Sequence, residues 1–117
     1  MEELPLVSII TASLNQGEFI EQTILSIKNQ DYSNIEHVII DGVSTDNTLS
    51  IIKKYEGVYN VRWISEPDNG AVEATNKGLR QIRGEIIGLI ATDDLYLPWA
   101  ISTAVQYFHQ YPEVELV

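Results

Sequence analysis

The sequence predicts an α/β domain: an open, mainly parallel sheet with helices on both faces. Three observations lead there. Short β-branched apolar runs alternate with segments whose apolar residues recur at helical spacing. Each segment between runs is long enough for a crossover helix, so successive strands run parallel. Gly, Pro, Asn and Asp gather where the runs end, as turns require. With right-handed crossovers the sheet is doubly wound and Rossmann-like.

The elements follow in order. Leu6 to Ala12 reads as a buried strand, and Asn15 with Glu18 has the spacing of a capping box before the helix marked by Ile20, Ile24 and Ile27. Val38 to Asp41 is a second strand, Gly42 to Thr45 a turn, and Leu49, Ile52 and Tyr55 one face of a second helix. Val61 to Ser65 is a third strand, broken by Pro67-Asp-Asn-Gly70. Val72, Thr75, Leu79 and Ile82 form a helical stripe that Gly84 ends, and Glu85 to Ile90 is a fourth strand. Pro98 stands like a first-turn proline of the helix marked by Ile101, Ala104, Val105 and Phe108, which Pro112 closes. Val114 to Val117 opens a fifth strand, so the expectation is one domain over residues 1–117, cut before its natural end.

Composition narrows the function classes. A chain of 117 residues makes one domain with room for a core. Acids outnumber bases 17 to 7, giving a net charge of −10 that repels nucleic acid and anionic lipid. The absence of cysteine excludes disulfides and thiolate metal sites. There is neither a membrane-spanning apolar run nor a basic, apolar leader, so a cytoplasmic enzyme or binding domain is the expectation.

Ligands of open α/β sheets bind beyond the carboxyl ends of the strands. Here those ends are polar: Thr11 to Asn15, Asp41 to Thr48, Glu66 to Gly70 and Thr92 to Asp94. Ser44 and Asp46 read as caps of the second helix. Asp93 and Asp94, adjacent after an apolar strand, repel one another and so suit a divalent cation; oxygen ligands favour Mg²⁺ or Mn²⁺. No Gly-x-Gly-x-x-Gly and no Walker lysine motif is present, so a diphosphate would need that metal. His37 lies at a strand start and His109 on the last helix, and both read as packing or surface residues rather than bases.

Four motifs in order resemble the nucleotide-binding half of a family 2 glycosyltransferase of the GT-A fold. They are Val7 to Asn15, Ile40-Asp-Gly-Val-Ser-Thr-Asp-Asn-Thr48, Ser65 to Gly70 with Ala74, Asn76, Lys77 and Gly78, and Thr92-Asp-Asp94 followed by Tyr96-Leu-Pro98. The resemblance implies that Thr11 approaches the base or ribose of a nucleotide sugar and that Asp41 lies against the base. It places Asp93 at the ribose or diphosphate and Asp94 on the metal, with Asp68 and Lys77 bordering the donor pocket. It further implies a UDP-sugar donor, a saccharide or lipid-linked acceptor, inverting transfer in polysaccharide biosynthesis, and a catalytic carboxylate beyond this chain. The sequence departs from the family at Gly42, where a second acid is common, at Thr75, where an Arg is common, and at Val43 and Asn47, which replace glycines.

Other readings compete. A receiver-like signalling module would place an acid pair after strand one, where Thr11 and Ser13 stand, and a lysine after strand five. A nucleotidyltransferase would want a basic glycine-rich loop, but Ser13 to Gly17 has no base. An inert domain kept for oligomer contacts is the blandest reading. The unfinished edge at Val114 to Val117 predicts self-association into a homo-oligomer.

Overall fold

Four strands and four helices alternate along the chain: β1 Val7–Ser13, α1 Ile20–Lys28, β2 Ile35–Asp41, α2 Thr48–Lys54, β3 Val61–Ser65, α3 Ala71–Leu79, β4 Ile86–Leu89 and α4 Ala100–Gln110. They come from a computed structural model that describes residues 4–92 and 94–110. All pairings are parallel, in the order β3-β2-β1-β4. The order reverses between β1 and β4, which puts a switch point there. The expected fold class is the observed one.

Strand alternation sorts the core onto two faces. On one, Ile39 packs with Ile20 and Ile24 of α1, with Ile52 of α2 and with Tyr55, which caps the end of α2. The same face, nearer β4, joins Val7 and Ile9 to Ile27 and to Ile101 and Val105 of α4. On the other face Val38 and Ile40 pack on Ala74 of α3. Helices therefore cover both faces.

Several boundaries differ from expectation. β2 begins three residues before Val38, since Glu36 and His37 are buried strand residues. The carboxylate of Glu36 accepts hydrogen bonds from Ser8 Oγ (2.6 Å), Arg83 N (2.6 Å) and Arg62 (2.7 Å). Burial pushes this carboxyl up, but those bonds outweigh it and hold its pKa below the usual value. On α3 the buried residues are Ala74 and Gly78, not the expected stripe; Val72 is 78 % exposed. The cause is close approach, because a Cβ on Gly78 would lie 2.5 Å from Ile10 Cγ2. β4 is half exposed rather than buried, as an outer strand of the described sheet. Pro98 precedes α4 by two residues instead of opening it. Pro112 and the expected fifth strand, Val114 to Val117, lie outside the described residues.

Candidate functional site at the carboxyl edge of the sheet

Parallel register brings the strand ends level: Ser13 pairs with Asp41, and Asp41 with Ser65. The loop after β4 leaves from the same edge. The structure thus gathers the ends of β1, β2 and β3 with the Thr92 and Asp94 loop. Asp93 itself lies outside the described residues.

Asp41 is fully buried and is the hub of this edge. Its Oδ2 accepts from Ser44 N (2.8 Å) and Ser65 Oγ (2.9 Å), and its Oδ1 accepts from Ser44 Oγ (2.6 Å). Three donors on a carboxylate make a rigid turn. The side chain builds the site wall from within rather than lying open to a ligand. Asp68, half-buried, stands beside it: its Oδ1 accepts from Gly70 N (2.9 Å), and a Cβ on Gly42 would come within 3.0 Å of its Oδ2. The missing side chain at Gly42 is what lets Asp68 sit against the β2 turn.

Lys77 fastens the β3–α3 loop to α3. Its Nζ donates to Pro67 O (2.7 Å) and pairs with Glu66 (3.1 Å) and Glu73 (3.7 Å). Thr11, also fully buried, lies two residues inside the strand end, with Oγ1 hydrogen-bonded to His37 Nε2 (2.8 Å); His37 Nδ1 meets Tyr59 Oη (2.8 Å). Burial pushes the His37 pKa down to about 3, so the ring is neutral, with one donor and one acceptor nitrogen. The hydroxyls complement either arrangement. His37 is a packing residue. Asp94 is exposed, and α1 holds its backbone: Thr23 Oγ1 donates to Thr92 O (2.7 Å) and to Asp94 O (3.1 Å).

Sequence reasoning missed how the first two loops lock together. Asn15 does not cap α1, whose N-cap is Phe19 without a side-chain bond. Instead Asn15 adopts φ +50°, and its Oδ1 accepts from Thr45 N (2.8 Å) and Asp46 N (3.3 Å). In return Asn15 N donates to Ser44 Oγ (2.8 Å), Gln16 N to Thr48 Oγ1 (2.9 Å) and Gly17 N to Asp46 Oδ2 (3.0 Å). Ser44 thus serves the loops rather than the helix, while Asp46 does accept from Thr48 N (2.9 Å) at the start of α2. The available signal was Asn15 itself, since asparagine tolerates the left-handed region better than other side chains. Val43, which stands where relatives of the resembled family commonly have glycine, also lies in that region, at φ +65°, where a β-branched side chain is costly.

The edge is acidic, so a bound diphosphate calls for a cation. Among the described residues no group of three His, Cys, Asp or Glu converges on one point. The exposed Asp94 carboxylate nevertheless fits a hard cation that takes one or two carboxylates and completes its shell with water and phosphate. An apolar cavity of about 250 Å³ lies away from this edge, between β4 and α4, lined by Ile9, Ile86, Gly88, Tyr96 and Phe108 among others. Among the described residues no carboxylate lines it. Among the described residues no helix is long and apolar enough to cross a membrane.

Comparison with known proteins gives a consistent picture. The family described as "Glycosyl transferase family 2" matches residues 8–116. A Bacillus subtilis protein named as a teichuronic acid biosynthesis glycosyltransferase, TuaG, is 37% identical over 77% of this chain and 36% of its own length. The chondroitin synthase of Escherichia coli is 33% identical over 94% of this chain and 16% of its own. Among solved structures, Staphylococcus aureus TarS with UDP-GlcNAc superposes with a TM-score of 0.87 at 25% identity, over 92% of this chain and 32% of that one. The mannosyltransferase PcManGT of Pyrobaculum calidifontis, in complex with GDP-Man and Mn²⁺, gives 0.83 at 28% identity, over 89% and 32%. The architecture is that of the GT-A glycosyltransferases. The chain spans about a third of the length of TuaG, TarS and PcManGT, and less of the synthase.

Proposed function

The chain belongs to glycosyl transferase family 2, and from that premise we propose that its carboxyl edge binds the nucleoside diphosphate of a nucleotide sugar, a UDP-sugar, for inverting transfer of the sugar to an acceptor hydroxyl of a saccharide or lipid-linked acceptor. One observation carries the reading: in the 3-2-1-4 parallel sheet Asp41, Asp68 and the Asp94 loop all leave from the carboxyl edge, the Asp94 loop next to the β1–β4 switch point. Two structural neighbours were solved with nucleotide sugars, one of them with Mn²⁺, which supports the choice of ligand.

Asp94, with Asp93, would hold Mg²⁺ or Mn²⁺. When bound, such a cation supplies charge neutralisation for a diphosphate whose negative charge grows as it departs. The chain's own residues provide position. Asp41 fixes the turn that walls the nucleoside side, Asp68 borders the donor, and Lys77 holds the β3–α3 loop in place. Thr23 fixes the Asp94 backbone and so the approach of its carboxylate. The acceptor-binding side and the carboxylate that deprotonates the acceptor we assign to the additional length that such relatives carry. A cytoplasmic setting is part of the same proposal.

Titration calorimetry of UDP with and without Mn²⁺ tests the reading. Metal-dependent binding that disappears in Asp94→Ala is the expected result. Binding that is equal with and without Mn²⁺ would remove Asp94 from the role of anchor.

A further inference from the structure

Val43 occupies a backbone position that its side chain opposes. At φ +65° the Cβ of a β-branched residue is crowded by the main chain, and only glycine, asparagine or aspartate enters this region readily. The turn imposes the conformation: Asp41 accepts from both the amide and the hydroxyl of Ser44, which leaves Val43 bent between two anchored residues. Core packing does not explain a valine here, because it is 46 % exposed and joins none of the buried apolar clusters. Strain of this kind gathers at active sites and ligand clamps.

Its location says what that is. Gly42 N donates to Ser13 O (2.9 Å), the last link between β2 and β1. Val43 and Leu14 each lie one residue past that link, and Leu14 is 52 % exposed. Two apolar side chains therefore follow the ends of adjacent strands, on a rim otherwise made of Asn15, Ser44, Thr45 and Asp46. Ser13 Oγ, buried beside them, has no hydrogen-bond partner among the described residues.

We propose that Val43 is a specificity-determining residue, an apolar wall against the nucleobase of the donor nucleotide, with the phosphates lying toward Asp94. The inference rests on the donor-binding reading above and adds to it the part of the donor that this side chain meets. A flat base face gains from apolar contact, whereas a phosphate does not.

The test uses Val43→Gly and Val43→Asn, both of which fit the left-handed turn. Wild type and variants are titrated with UDP and with pyrophosphate, each with Mn²⁺, and melted in parallel. The variants should melt no lower than wild type and bind UDP about tenfold more weakly, the worth of one or two buried methyl groups. Their affinity for pyrophosphate should be unchanged. Variants that bind UDP as tightly as wild type overturn the role of Val43 and leave the donor-binding reading standing. Equal weakening for both ligands also overturns it, since the residue would then act through the shape of the turn. A wild-type protein that binds neither ligand overturns the donor-binding reading and this inference with it.

Discussion

His37 gives the sharpest quantitative expectation. It is fully buried between Thr11 and Tyr59, and burial pushes its pKa down to about 3, against 6.5 for the free side chain. Between those values the unfolded chain takes up a proton that the folded chain refuses. Stability therefore rises with pH through this window; the contribution is complete above about 6.5 and is lost progressively toward pH 3. Each pH unit carries about 1.4 kcal/mol. Acidification from 6.5 to 5 should cost about 2 kcal/mol, a large share of the roughly 5–15 kcal/mol of a typical domain. Down to pH 5 the carboxylates add little to this slope: Glu21, Glu36 and Asp46, whose pKa values are lowered from 4.5, 4.5 and 3.8, lose their contribution only below those ordinary values, in the lower part of the window. Urea denaturation at pH 7, 6 and 5 measures the slope in wild type and in His37→Gln. The variant should lose roughly 1–2 kcal/mol at pH 7, because one hydroxyl loses its partner, and its stability should vary much less with pH. His109 is present in both proteins, so the difference isolates His37. Identical slopes would refute the linkage.

Three further expectations follow from packing and charge. Gly78→Ala places a Cβ 2.5 Å from Ile10 Cγ2; the overpacking of about 1–3 kcal/mol should exceed the helical gain of about 1 kcal/mol and lower the melting temperature. Asp41→Asn turns an amide NH₂ toward the donors of Ser44 or Ser65 and should lose about 1–3 kcal/mol by chemical denaturation, with weaker UDP binding. Asp94→Ala removes an exposed side chain and should leave stability within about 0.5 kcal/mol, while the Mn²⁺ dependence of UDP binding disappears in calorimetry.

The elements carried by apolar periodicity were legible in the sequence. Ile9, Ile24, Ile39 and Ile52 sit in the core because their spacing matches the period of their element. The carboxyl edge was legible too, since in a parallel sheet polarity at the ends of consecutive strands converges. Legibility failed where burial is polar or where space is tight. Glu36 and His37 hide the first half of β2, because a buried carboxylate and imidazole look exposed until their partners Ser8, Arg62, Thr11 and Tyr59 are known, all of them 22 or more residues away. The α3 stripe was misread because Ala74 and Gly78 face the sheet for lack of bulk rather than for apolarity. Asn15 looked like a helix cap because its local spacing fits one, while its actual partners belong to the next crossover.

The bonds joining Asn15, Gln16 and Gly17 to Ser44, Asp46 and Thr48 have a consequence for the way the edge opens. Amides on one loop are capped by side chains of the other in both directions, so neither loop can fray while the other stays closed. They should behave as one cooperative unit, with the backbone hydrogens of Asn15, Gln16, Gly17 and Thr45 exchanging with solvent at a common rate. A substitution on either side, Asn15→Ala or Thr48→Ala, would then speed exchange on both. Sequence drift in the two segments is constrained to be joint: a change tolerated in one is one that its neighbour can still latch.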